Sequence, residues 1–158
     1  MPPEKTGHPE YIEIDFATEN DLPQMVELLV ELFSIERDFT PDRAKQMRGL
    51  RLILDSPVSG RLFVLRVGGK VAGMANALIT VSTAEGGHVM LLEDVIVSVE
   101  YRGAGLGRYL VEHILAWARK NGLVRATLLV DQNNQPAFNF YDKLGFKTSH
   151  MKVLRKIL

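Results

Sequence analysis

The stretch from Val95 to Arg108, Val-Ile-Val-Ser-Val-Glu-Tyr-Arg-Gly-Ala-Gly-Leu-Gly-Arg, constrains the fold of this chain more than any other segment. An apolar strand leads into a basic glycine turn, and an amphipathic helical pattern follows at once. Glycines at Gly103, Gly105 and Gly107 let the main chain turn sharply and come close to a ligand. A helix that opens there presents unpaired N–H groups and the positive end of its dipole. Arg102 and Arg108 add formal positive charge. The simplest ligand for this cradle is a phosphate or pyrophosphate held mainly by backbone donors. No Gly-Lys-Ser/Thr closes the loop, which removes the P-loop reading. A dinucleotide fingerprint follows the first strand of a βαβ repeat, whereas several strand-like segments precede this one.

Upstream, Tyr11 to Phe16 alternates with period two, as a half-buried strand does. Thr18, Asn20 or Asp21 caps the next helix, Pro23 fits its first turn, and Leu22, Met25, Val26, Leu29, Leu32 and Phe33 recur at helical spacing as core. Pro41 to Leu54 reads as a second helix, ended by Pro57 and Gly60. Leu62 to Val67 and Val71 to Val81 flank Gly68-Gly69-Lys70, a hairpin signal, and His88 to Val97 is a further strand. Gly107 to Asn121 is the helix after the loop, with Gly122 as its C-cap. Val124 to Val130 is a strand, Gln135 to Leu144 a short helix, and Phe146 to Thr148 and Met151 to Ile157 are expected to complete the sheet. The chain is thus expected to be α/β (α+β): a mixed, mostly antiparallel sheet of six to seven strands with helices on both faces. Residues 1–10, with three prolines and mixed charge, read as a tail, and residues 11–158 as one domain.

Composition narrows the function classes. Nineteen basic and nineteen acidic side chains cancel, so no global field favours nucleic acid or an anionic membrane. Without cysteine there is no disulfide, thiolate ligand or cysteine nucleophile. His8, His88, His113 and His150 lack paired metal spacing, and Ser82, Thr83 and Ser98 lack a His/Asp partner for a hydrolase triad. No apolar run is long enough to span a bilayer and no signal peptide is apparent, so a cytoplasmic location is the default.

Arg102-Gly103-Ala104-Gly105-Leu106-Gly107 resembles the signature Arg/Gln-x-x-Gly-x-Gly/Ala of the GNAT superfamily of acyl-CoA-dependent N-acetyltransferases. The resemblance extends upstream through Leu92-Glu93-Asp94-Val95-Ile96-Val97 and downstream through Asn134 and Asn139-Phe140-Tyr141-Asp142-Lys143-Leu144-Gly145-Phe146, covering roughly residues 11 to 158. It implies acetyl-CoA as co-substrate, with its pyrophosphate on the loop from Arg102 to Arg108 and its pantetheine arm along the backbone of Val95, Ile96 and Val97. Asn134 would bond that arm, Asn133 being a register-shifted alternative, and Asn139 would approach the coenzyme. Tyr141 is the implied general acid and Glu93 the implied general base, directly or through water, with Glu93 and Asp94 also meeting substrate.

The chemistry makes such a base useful, because an alkylammonium of pKa near 10.4 is only about one part in 2,500 neutral at pH 7. Strict alternation puts Glu93, Val95 and Val97 on one face of the strand with Asp94 and Ile96 on the other, so one acid alone faces a given site; a bulge would exchange their facings.

The segment Glu31 to Leu54, expected to shape the acceptor pocket, mixes both signs of charge. A small cationic or polar amine (a polyamine, an aminosugar or an amino-acid-like molecule) is the first expectation for the acceptor, protein N-termini or lysines the next. The alternatives are an acyl-CoA sensor without catalysis, against which both Glu93 and Tyr141 argue, and a nucleic-acid module, which the balanced charge does not support. Met151 to Leu158 is apolar enough to join a homodimer interface.

Overall fold

A computed structural model describes residues 11–158; the expected tail at residues 1–10 lies outside them. The elements run β1 (Ile12–Phe16), α1 (Leu22–Ile35), α2 (Arg43–Leu54), β2 (Gly60–Val67), β3 (Lys70–Ser82), β4 (Gly87–Val97), α3 (Leu106–Lys120), β5 (Ala126–Leu128) and α4 (Gln135–Lys143). The sheet order is β1-β2-β3-β4-β5, antiparallel except for the parallel β4–β5 pair. This is the expected mixed sheet, but with five strands rather than six or seven.

The missing strands have a physical cause. Strand geometry requires a neighbouring backbone, and β5 is paired on one side only, as the last strand of the sheet. Residues 151–158 form no helix or strand, and Met151, Leu154, Ile157 and Leu158 stand open to solvent, while Arg155 reaches Asp38 at 3.0 Å. The β5 strand itself is shorter than the expected Val124–Val130 because its pairing with β4 covers Met90–Leu92 alone.

Side-chain alternation divides the core between the two faces. Phe63, Leu65, Ala75, Ala77, Met90 and Leu92 turn to one face and pack under Leu110, Val111, Ile114 and Ala118 of α3, with Phe140 and Tyr141 of α4 at the margin. Leu62, Val64, Met74 and Ile96 turn to the other, against Leu22, Met25, Val26 and Leu29 of α1 and Leu50 of α2. The α1 and α3 helices therefore bury the apolar stripes their spacing encodes.

One charged pair locks the first helix to the sheet. Asp21 is buried at the entry to α1, where Arg66 of β2 donates to both its carboxylate oxygens at 2.7 and 2.8 Å and the Thr18 amide donates at 2.8 Å. The Arg66 guanidinium holds the Asp21 carboxyl below the usual carboxylate range despite burial.

Candidate active site

The β4 strand has a partner on both sides only as far as Leu92, which pairs with Leu128 of β5. From Glu93 to Val97 it continues beside β3 while β5 has already ended, so its outer edge of backbone donors and acceptors is open. Val95, Ile96 and Val97 form this last part of β4, where backbone groups reach the open edge at alternate residues and the Val97 carbonyl already accepts from Arg102 Nε at 2.7 Å, and the strand leads directly into the glycine turn.

The turn is built as its residues require. Gly103 and Gly105 have φ of +85° and +76°, a region that disfavours any side chain, and Gly105 is the N-cap of α3. The first-turn amides at Leu106, Gly107 and Arg108 have no intrahelical carbonyl to reach, so with Ala104 they form a ring of donors at the positive end of α3. Arg102 plays a different part from its neighbours. Its Nε donates to the Val97 carbonyl at 2.7 Å and its terminal nitrogen to Glu31 Oε1 at 2.8 Å, while Glu31 also accepts from the Val99 amide. The arginine and Glu31 brace the turn against β4 and α1. Arg108 pairs with Glu112 one helical turn on, at 2.8 Å on the exposed side of α3.

The two acids do not divide between faces as strict alternation requires. Ile96 pairs with Met74 and Glu93 with Asn76, so Asp94 and Val95 together oppose Ala75: a β-bulge. The bulge shifts the alternation by one residue. Val95 and Val97 both pack toward α3, while Ile96 packs toward α1. Leu92 packs toward α3, so Glu93 turns toward α1, and Asp94 joins it there by accepting from Asn76 Nδ2 at 2.6 Å. Both carboxylates face α1, which corrects the expectation that only one does. Asp94 reaches this position at φ +54°, the single non-glycine residue in the left-handed region among the described residues. Aspartate tolerates that region better than most residues, yet strain of this kind costs about 1 kcal/mol or more and marks a position held by its surroundings.

Burial, then the charges of Glu93 and Glu36, push the Asp94 carboxyl up to about 7. Glu36 caps the C-terminal end of α1. Its own carboxyl is raised by burial and then by the charges of Asp131, Asp38 and Glu93. Across the cleft, burial and the Glu36 charge push the Tyr141 hydroxyl up to about 12, so it keeps its proton throughout the working range. The ring is fixed edge-on between Phe140 and Phe146, with centroids 4.9 and 5.6 Å away.

Asn134 is the N-cap of α4, its Oδ1 accepting from the Ala137 amide at 3.1 Å, and its amide nitrogen has no partner among the described residues. The Asn133 amide closes a turn on Asp131 at 2.9 Å, and Asn139 Oδ1 accepts from Gln135 at 2.9 Å.

Residues 22–146, well over half the chain, match the Acetyltransferase (GNAT) family. The chain belongs to that family. As a GNAT acetyltransferase it is similar to glucosamine 6-phosphate N-acetyltransferase of Trypanosoma brucei brucei, 29% identical over 91% of this chain and 94% of that protein. Its fold is that of a possible acetyltransferase from Clostridium difficile 630, with a TM-score of 0.84 at 23% identity over 93% of this chain and 97% of that one. An aminoglycoside N-acetyltransferase solved in complex with CoA has the same fold, at TM-score 0.80 and 17% identity over 95% and 97% of the two chains.

Within this acetyltransferase the structure adds three residues that motif reading passed over. Glu31 braces the glycine turn, Asn76 holds Asp94, and Glu36 faces Tyr141. Asn76 carried a signal as the one amide in the apolar run Val71 to Ile79, and Glu31 and Glu36 lie in the segment Glu31 to Leu54 expected to shape the acceptor pocket. The other two are ordinary helix acids until the fold brings them to β4.

Proposed function

We propose that this acetyltransferase moves an acetyl group from acetyl-CoA to the primary amine of a small molecule, by direct attack within a ternary complex. The observation that carries the reading is the point where β4 outlasts β5: an open strand edge, a glycine cradle and two acids on one face meet there, with Tyr141 across from them. The donor ring from Gly103 to Arg108 fits a pyrophosphate, and the strand edge at Val95, Ile96 and Val97 fits an amide-bearing arm. Arg102 acts in this reading by holding the turn, and Asn134 and Asn139 line the far side at α4. When bound, acetyl-CoA supplies the thioester carbonyl that the amine attacks.

Basicity favours a raised carboxyl as the proton acceptor. Moving a proton from an ammonium of pKa near 10.4 to a group near 7 is uphill by about 4.6 kcal/mol. We therefore assign that role to Asp94, where the family resemblance implies Glu93, with the Glu93 charge adding to the basicity of Asp94 and orienting the ammonium. Tyr141 serves as a hydrogen-bond donor to the leaving sulfur. Full ionisation of its hydroxyl in favour of a thiolate near 8.5 is uphill by about 5 kcal/mol, so proton transfer has to finish late in the step.

The proposal includes a cytoplasmic enzyme; no described helix is long and apolar enough to cross a membrane. It also includes a homodimer, supported by the exposed apolar run Met151 to Leu158 and the open edge of β5.

Free-thiol release from acetyl-CoA, followed across polyamines, aminosugars, amino acids and peptides, tests the reaction. Amine-dependent release that falls roughly 100-fold in Tyr141→Phe, with coenzyme binding intact, is expected. Coenzyme binding without release on any amine would favour a sensor instead.

A further inference from the structure

Resting on that reading of the reaction, we propose that the acceptor carries a second positive charge and that Glu36 receives it while the amine to be acetylated lies against Asp94. The chemical class is a compact aliphatic diamine or polyamine, and a phosphorylated amine is disfavoured.

Glu36 is placed where an isolated carboxylate is costly. It sits at the negative end of the α1 dipole, in a helix with no basic residue in its last turn. It is half-buried, and its side chain has neither a hydrogen bond nor an ion pair among the described residues. Cations are available close by but are engaged elsewhere. Arg37 holds Asp131 through two bonds of 3.0 and 3.1 Å, and Arg155 pairs with Asp38 at 3.0 Å beside the Phe39 ring. Glu36, Glu93 and Asp94 form no ion pair among the described residues, whereas Arg37 and Arg155 beside them are paired.

A second observation points to a ligand rich in N–H donors. Asn76 is 2% exposed, and its amide nitrogen is spent on Asp94 while Oδ1 has no partner. A buried amide oxygen without a donor is a deficit of about 1–3 kcal/mol, and it lies beside the carboxylate on which an ammonium would rest. An ammonium supplies three donors, enough for Asp94 and two further acceptors. Among the described residues no three side chains of the metal-ligating types converge to hold an ion, so the acidity of this cleft matches an extended organic cation rather than a metal. The relative from Trypanosoma brucei brucei is named for a phosphosugar acceptor, and the charge of this cleft argues for a different one.

The test is titration calorimetry of the intact enzyme with 1,4-diaminobutane, butylamine and glucosamine 6-phosphate, with and without CoA, alongside kcat/KM for the three amines. Wild type is expected to bind the diamine about tenfold tighter than butylamine, and Glu36→Gln to erase that difference while leaving CoA binding unchanged. Glu36→Lys is expected to invert the preference toward glucosamine 6-phosphate. Equal binding of diamine and monoamine by wild type, preference for the phosphosugar, or a diamine advantage that survives Glu36→Gln would each overturn the proposal. Acetyl transfer without any charge preference would overturn it and leave the reaction standing, whereas diamine binding without acetyl transfer would overturn the reaction.

Discussion

Asp94 combines three features in one residue: a left-handed backbone, a buried carboxyl raised to about 7, and a hydrogen bond to a buried amide. The folded protein holds a proton here that the unfolded chain releases near pH 4, so stability falls as the pH climbs from about 4 to about 7. At pH 8 the ionised form costs up to about 4 kcal/mol. An asparagine side chain at this position would keep the backbone conformation and the bond from Asn76 without the charge. Asp94→Asn is therefore expected to raise Tm at pH 8 by about 5 °C or more, leave it unchanged at pH 4, and lower kcat/KM roughly 100-fold. Differential scanning calorimetry at the two pH values checks the first part and a thiol-release assay the second. The opposite sign applies at Asp21, whose carboxyl is lowered by Arg66 and whose stabilisation is lost as the pH falls through the acid range. Asp21→Ala removes both short bonds to Arg66 and leaves it only the longer pair with Asp15 at 3.5 Å, and urea unfolding at pH 7 is expected to show a loss of about 3 kcal/mol.

At the scale of elements, the glycine turn and the strand before it were legible in the sequence because their chemistry is local: positive φ at Gly103 and Gly105 needs glycine, and a strand into a helix needs a turn. The bulge was not legible. Strict alternation gives the facing of a residue only while two strands keep register, and the extra residue at Asp94 and Val95 is visible only against β3. Glu31 gave no sign of its bracing role for the same reason, since its partners lie far along the chain at Val99 and Arg102. Its bracing role predicts that Glu31→Ala loosens the turn more than the fold. The KM for acetyl-CoA is expected to rise about tenfold with kcat nearly unchanged and Tm within about 3 °C, measured by steady-state kinetics and thermal melting. A large loss of Tm with KM unchanged would make Glu31 a stability residue only.

For the whole molecule, the unmatched parts are complementary. The outer edge of β5 offers backbone groups with no neighbour, and residues 151–158 offer an apolar segment with no strand partner. Strands at Phe146–Thr148 and Met151–Ile157 were expected to complete the sheet, but sequence alone cannot supply the second backbone that a strand requires. In the proposed homodimer a second copy would supply both halves at once. Light scattering at about 50 μM is expected to give twice the mass of one chain, and Leu154→Glu with Ile157→Glu to give a monomer. A wild-type monomer at that concentration would leave the segment without this role.

The account turns on the proton that the bulge places at Asp94, and the pH dependence of kcat/KM for acetyl transfer to a simple amine tests it most directly. The prediction is a rise through an inflection near pH 7, a plateau up to the amine's own pKa, and loss of that inflection in Asp94→Asn. A rate that climbs without inflection to the amine's pKa, identically in wild type and variant, would contradict it.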